Sequence, residues 1–286
     1  CVRCECGRSV SLHAAHHLLR CPHCAGDLDP DGVRWVCPNR HSFDLARQGH
    51  LNLAAGPEPA NADTVAMLQA RARVQASGLF GFLSSSLDGL VPLVGVHTML
   101  EVGAGTAHYL TELVEQRPPA RGVALDVSRA AAKRAARAHH RIASVVADVW
   151  RGLPVRTASM DVVLCVFAPR NFAEFARVLR PDGRLIVATP TAEHLAGLRE
   201  RYGLLGIEDD KLARLLASAA DHFTLQHTVT AKAETTIAAS VVDDLIGMGP
   251  NAFHHPPASA GTERVRLAVD VSVFRPIHRT GANPDL

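Results

Sequence analysis

Three cysteines and a histidine in one short stretch constrain this chain most: Cys21-Pro22-His23-Cys24, twelve residues, then Cys37-Pro38-Asn39-Arg40-His41. The spacing C-x2-C-x12-C-x3-H is that of two tight knuckles closing on one tetrahedral zinc ion. Pro22 and Pro38 restrict the backbone inside each knuckle. Between them, Asp27, Asp29, Pro30, Asp31 and Gly32 supply turn chemistry, as expected between strands of a small zinc ribbon. The segment has too few large apolar residues to fold without its metal. Cys21, Cys24, Cys37 and His41 are the predicted ligands. Four protein ligands leave no open position, so the metal is structural. The alternative is four unrelated side chains.

The remaining bounds are broad. At 286 residues, 47% of them hydrophobic and 20% charged, the chain has room for one full domain and one small one. No apolar run is long enough to cross a bilayer and no signal-peptide pattern opens the chain, so the reading is cytoplasmic. Zinc-bound, reduced cysteines suit that compartment. A formal charge of +2 neither supports nor excludes an RNA partner. Cys1, Cys4 and Cys6, followed by His13, His16 and His17, could form a second metal site. The preferred reading of residues 1–19 is a disordered or incorrectly assigned leader. Cys165, alone in an apolar strand pattern, reads as a core residue.

Residues 20–53 form the predicted ribbon and 54–96 a linker with helices. Asp63 is expected to cap a helix to about Ser77, stopped by Gly78, with a second over Phe80–Leu90. From His97 short apolar strands alternate with helices. Expected strands are Thr98–Val102, Gly122–Asp126, Ser144–Ala147, Asp161–Phe167 and Arg184–Ala188. Expected helices are Ala107–Glu115, Ser128–His139, Phe172–Leu179 and Ala192–Leu204, with a turn at Arg180-Pro181-Asp182-Gly183. Such a pattern implies a parallel sheet covered on both faces. Phe223–Ala231 and Val265–Phe274 alternate in period two, predicting an antiparallel addition at one edge, with a helix over Ala238–Met248 between them. This α/β domain spans 97–276, leaving 277–286 as a tail.

Leu100-Glu101-Val102-Gly103-Ala104-Gly105-Thr106-Ala107 follows the first of these strands. Glycine there lets a ligand approach the backbone. Asp126 ends the second strand, where a carboxylate can accept both ribose hydroxyls. Asp148 ends the third, where it can accept from an adenine amino group. A dinucleotide would want a third glycine where His108 stands, and Glu101 suits a cation better than a pyrophosphate. S-adenosylmethionine, with its ammonium, sulfonium and single ribose, fits better. At the end of the fourth strand Phe167 could stack on a base and Arg170 could hold a phosphate or a guanine edge. The plain alternative is a packed strand end. His194, expected two residues into a helix, could bond the cofactor carboxylate or sit beside the base.

These motifs, with Ala46-Arg47-Gln48-Gly49-His50-Leu51-Asn52-Leu53, Ala147-Asp148-Val149-Trp150, Val166-Phe167-Ala168-Pro169-Arg170-Asn171 and Gly247-Met248-Gly249-Pro250, resemble the bacterial 23S rRNA guanine-N1 methyltransferases over Arg20 to Pro276. The nearest branch is the one conferring tylosin and mycinamicin-type macrolide resistance. The resemblance implies a class I, Rossmann-like methyltransferase sheet carrying a zinc ribbon, with Zn2+ on Cys21, Cys24, Cys37 and His41. It places Gly105, Thr106, Asp126 and His194 at the S-adenosylmethionine. Phe80 stands where relatives often have tyrosine, and Glu101 replaces their usual aspartate; Gly103 and Asp148 complete the expected cofactor set. Phe167, Arg170 and His194 are the candidates for binding or positioning the target base, with Trp150 an alternative platform for it. The implied substrate is a guanine in a 23S rRNA hairpin loop, gripped partly by Arg34, Arg40 and Arg47, and the implied assembly is a homodimer. Rival readings are a small-molecule methyltransferase, which leaves the ribbon without a task, and a non-catalytic zinc-ribbon RNA adaptor, which leaves the glycine loop without one.

Overall fold

The structure, a computed structural model, describes residues 12, 15–54, 56–207, 210–254 and 261–277. Cys1, Cys4, Cys6 and His13 lie outside the described residues. The chain from Arg20 builds a three-stranded antiparallel ribbon: β1 Asp29–Asp31, β2 Arg34–Val36 and β3 Ser42–Asp44. Its first hairpin turns through Gly32 at φ 61, the left-handed conformation that a two-residue hairpin needs at its first central position.

An eight-stranded sheet forms the body, in the order β10-β11-β9-β8-β5-β6-β7-β4. Its parallel strands are β4 His50–Asn52, β5 Thr98–Val102, β6 Arg121–Asp126, β7 Ile142–Val146, β8 Met160–Val166 and β9 Leu179–Pro190. The long strands β10 Phe223–Ile237 and β11 Glu263–Pro276 add antiparallel at the β9 edge, as the period-two pattern predicts. β5 runs on to β6 and β7 on one side, and β8 lies on the other. A doubly wound sheet opens its ligand crevice at such a reversal, outside the strands' carboxyl ends.

Side chains alternate strictly across this sheet. Leu100, Val102, Val163 and Leu185 join one core cluster; Met99, Val162, Leu164 and Ile186 join the other. The first cluster also contains Leu18, Leu19, Cys21, Leu28, Trp35 and Cys37. The ribbon is therefore packed on the body. Its continuation crosses into the sheet, because Leu51 of β4 pairs with Val145 of β7. On the other face lie helices α1 Val65–Ala76, α2 Gly81–Leu90, α3 His108–Glu115 and α8 Ala239–Gly247.

Several expectations shift. Leu12, Ala15, Leu18 and Leu19, read with the leader, are buried, and Leu19 bridges to Val155. Apolar residues that find the body's core pack on it whatever their periodicity. Thr64, not Asp63, caps α1, because Asp63 is engaged by Arg71. Helix α4 Arg129–Ala135 ends short of His139. The turn expected at Arg180–Gly183 lies inside β9, whose Leu179 pairs with Met160 across a bulge. Helix α5 Phe172–Val178 matches its expectation. Helix α6 Ala196–Tyr202 begins late, so His194 precedes it. Helix α7 Lys211–Ala219 was not anticipated.

Candidate metal centre and active site

The four donor atoms of Cys21, Cys24, Cys37 and His41 lie within 4.8 Å of one another. Cys21 Sγ and Cys37 Sγ stand 3.5 and 3.3 Å from His41 Nδ1, and Cys24 Sγ stands 3.5 Å from Cys37 Sγ. A tetrahedral zinc with ordinary bond lengths needs edges of about 3.5–3.8 Å. The set fits zinc, with Nδ1 as the histidine ligand. Local backbone makes it so: the Ala25 amide donates to Cys21 O and the Arg40 amide to Cys37 O, closing the knuckles. Ala25 and Arg40 complete these turns at φ 58 and 61. Burial pushes the Cys21 thiol up to about 11, whereas the Gly26 amide helps bring Cys24 down to about 6. A dication amid the donors would hold the sulfurs as thiolates. His23 stacks on Phe43 at 5.8 Å beside the centre; Arg34, Arg40 and Arg47 are exposed, with Arg34 paired to Asp44.

The cofactor loop follows β5 at the reversal. Gly103 at φ 68 and Gly105 at φ 54 take left-handed conformations. A Cβ on Gly103 would stand 2.4 Å from the Ala168 Cβ, so glycine is required there by packing as well as conformation. The Gly103 and Ala104 amides donate to Leu125 O, stitching the loop to β6. Asp126 is buried and accepts from the Gly105 amide at 2.8 Å and the Ser128 amide at 2.8 Å, one on each oxygen. Each oxygen keeps acceptor capacity for a ribose hydroxyl. Burial raises the Asp126 carboxyl above its ordinary range, opposed by those amides. Asp148, just beyond β7, accepts from the Trp150 amide at 3.0 Å, and Trp150 itself is 65% exposed.

Glu101 stands apart from this group. It is only 2% exposed and accepts from the Leu110 amide, the third of α3. Ala107, the N-cap, has no side-chain acceptor to offer, so Glu101 caps the helix from beneath. Burial pushes its carboxyl up to about 8. Thr106 donates its hydroxyl to Gln75 of α1 at 2.7 Å. Arg71, one turn earlier on α1 and not singled out from sequence, lies on Gly105: a Cβ there would meet Arg71 Nη1 at 2.7 Å.

Three rings from distant segments gather at the crevice. Phe80, Phe167 and His194 have centroids 6.1–6.2 Å apart in every pairing. Phe167 is 43% exposed and holds φ 54, a strained backbone for an aromatic residue. His194 Nδ1 accepts from the Ala268 amide at 3.3 Å, leaving Nε2–H as a donor. Burial pushes its imidazole down to about 4, with Arg199 and Lys211 adding to the effect. Arg170 follows Phe167 at the strand end, and its charge, after burial, lowers the ammonium pKa of Lys211. Lys211, on unanticipated α7, is thus near enough to His194 and Arg170 for their charges to couple. The sequence signal for it was absent, because no motif flanks it. Cys165 is fully buried, with its thiol pushed up to about 12, consistent with a core residue.

Similarity to known proteins follows this geometry. A family model described as "RlmA, N-terminal", a zinc ribbon, matches residues 19–55, and one described as "Methyltransferase domain" matches 99–183. The chain is 38% identical over 271 residues to the 23S rRNA (guanine(748)-N(1))-methyltransferase of Streptomyces fradiae, covering 91% of this chain and 97% of that protein. It belongs to the 23S rRNA (guanine-N1-)-methyltransferase family. A provisionally named 23S rRNA (guanine-N(1)-)-methyltransferase of Micromonospora griseorubida is 40% identical over 277 residues, covering 89% and 93%. Among solved structures, one chain of a complex between the Haloferax volcanii Trm112 methyltransferase activator and a provisionally assigned methyltransferase matches with TM-score 0.51 at 16% identity, covering 76% of this chain and 99% of that one. The last shows the fold alone. The family's methyl donor is S-adenosylmethionine and its ribbon metal is zinc, and both fit the residues described. Among the described residues no helix is long and apolar enough to cross a membrane.

Proposed function

We propose that this protein methylates N1 of the macrolide-resistance guanine in a 23S rRNA hairpin loop, giving resistance to tylosin- and mycinamicin-like drugs. The carrying observation is the triad of rings, Phe80, Phe167 and His194, at the open end of the glycine-loop crevice. The near-full-length likeness to the Streptomyces fradiae enzyme supports the choice of guanine. S-adenosylmethionine, when bound, supplies a methyl group on a positively charged sulfur. Gly103 and Gly105 let the loop close on Ala168 and Arg71 beside it, Asp126 takes the ribose, and Asp148 takes the adenine end.

The chain's task at the base is mainly positioning. Phe167 offers an exposed face to a guanine drawn out of its stack. His194 stays neutral and donates through Nε2–H. It is a poor proton acceptor, since its Nδ1 is engaged and its conjugate acid is strong. The N1 proton therefore leaves to water at the crevice mouth or to another group. Arg170 and Lys211 add positive charge beside the rings, suited to the phosphates flanking a flipped nucleotide. The ribbon, with Arg34, Arg40 and Arg47 exposed, holds the hairpin by shape and phosphate. Such a substrate puts the activity in the cytoplasm. The proposal includes a homodimer; the edge strand β10, exposed or half-buried from 224 to 236, offers surface for one.

Tritiated methyl transfer to 23S rRNA, followed by primer extension, tests the reading. A stop at the guanine matching position 748 is expected, because an N1 methyl blocks pairing. A stop elsewhere would move the target, and label entering a small metabolite instead of RNA would end the proposal.

A further inference from the structure

Helix α1 carries a cation, Arg71, that leans on the glycine loop. Arg71 donates to the Asp63 carboxylate, and through Nη2 to the Met248 carbonyl at 2.7 Å. Those bonds use two of its five N–H donors. The side chain is 24% exposed, so the fork is not closed over. Gln75, four residues on and on the same face of α1, bonds Thr106. Arg71 and Gln75 thus seat α1 on the glycine loop, with Arg71 Nη1 2.7 Å from where a Gly105 Cβ would project. The guanidinium is close enough to oppose the rise in Asp126's carboxyl pKa.

A fixed cation at that position selects among the groups of the methyl donor. It repels the ammonium and the sulfonium and has little to offer the neutral ribose and adenine. The α-carboxylate is the only anionic group, and a planar fork matches it in a bidentate way. We propose that Arg71 binds the methyl donor's carboxylate, and that Asp63 and the Met248 carbonyl are its positioning groups. This assigns a task to the Gly247-Met248-Gly249-Pro250 turn, which closes α8 beside α1: it aims the guanidinium. It also explains the glycine at 105 from the protein side, since any side chain there would displace Arg71. The inference rests on the methyl-donor reading above.

The test uses the full chain and two ligands, S-adenosylmethionine and its decarboxylated analogue, titrated calorimetrically. Wild-type protein is expected to bind the first more tightly. Arg71→Met is expected to weaken S-adenosylmethionine by about 10- to 100-fold and to leave the analogue within about twofold. Arg71→Lys keeps the charge without the fork and is expected to fall between; it serves in place of Arg71→Met should that variant not fold. Equal weakening of both ligands would show a merely structural arginine and overturn the assignment, as would unchanged binding of both. Wild-type protein that bound neither ligand would overturn the methyl-donor reading itself.

Discussion

Phe167 shows how a single residue can be strained and useful together. Its φ of 54 is costly for a residue with a Cβ, by about 1–3 kcal/mol. The strain is sustained because the Phe167 amide bonds Ala188 O and Ala168 packs on Gly103. Phe167→Gly relieves the backbone and removes the stacking face. Methyl transfer to RNA is expected to fall about 10- to 100-fold, the worth of one stacked base, while Tm stays level or rises. A large fall in Tm with transfer intact would make Phe167 a packing residue. Arg117 makes the complementary point. It is 1% exposed, and its donors reach Pro92 O, Asp88 Oδ1, Leu113 O, Asp88 O and Val91 O. An arginine after a helix reads in sequence as a solvent residue; here it ties α2 to α3.

At the scale of elements, the ribbon strands are three residues each, too short to persist by pairing alone. Their stability comes from the metal and from Trp35, which is buried at 1% exposure against the body. Chelation is expected to release one zinc per chain, read with a metallochromic dye, and to shift tryptophan emission to the red. The chain has two tryptophans, and Trp150 is already 65% exposed, so the shift reports Trp35. RNA affinity should fall with it. Unchanged emission after full release would mean that packing alone holds the ribbon. The continuation of the ribbon into β4 gives that loss a route to the body, since β4 is an edge strand of the sheet that carries Asp126.

Over the whole molecule, buried ionisable groups set opposing pH dependences. His194, ordinarily near 6.5, is pushed down to about 4, so its contribution is complete above 6.5 and is lost as pH falls toward 4. Glu101, ordinarily near 4.5, is pushed up to about 8, so its contribution is complete below 4.5 and is lost as pH rises toward 8. The two slopes cancel between 4.5 and 6.5. From 6.5 to 8 Glu101 contributes a loss of about 2 kcal/mol, which the Cys24 thiol, ordinarily near 9 and brought down to about 6, opposes. His50 is shifted down and Asp126 up, both by burial, and so add one group to each side. The difference in denaturant stability between wild type and Glu101→Gln should show this decline from pH 6.5 to 8, since the thiols are common to both; a difference that rises with pH would contradict it.

The zinc spacing, the glycine loop and the strand-end carboxylates were legible from order alone, because each depends on neighbours a few residues away. The alternation of apolar strands and helices determined the sheet class for the same reason. What order could not decide was which distant segments share a point. Phe80, Phe167 and His194 meet only because β5 and β8 adjoin and β11 lies beside β9. Arg71 reaches Gly105, and Glu101 caps α3 from beneath, because of how helices pack over the loop. Side-chain direction and burial are set by contacts from elsewhere in the chain, and those exist only once the sheet has closed.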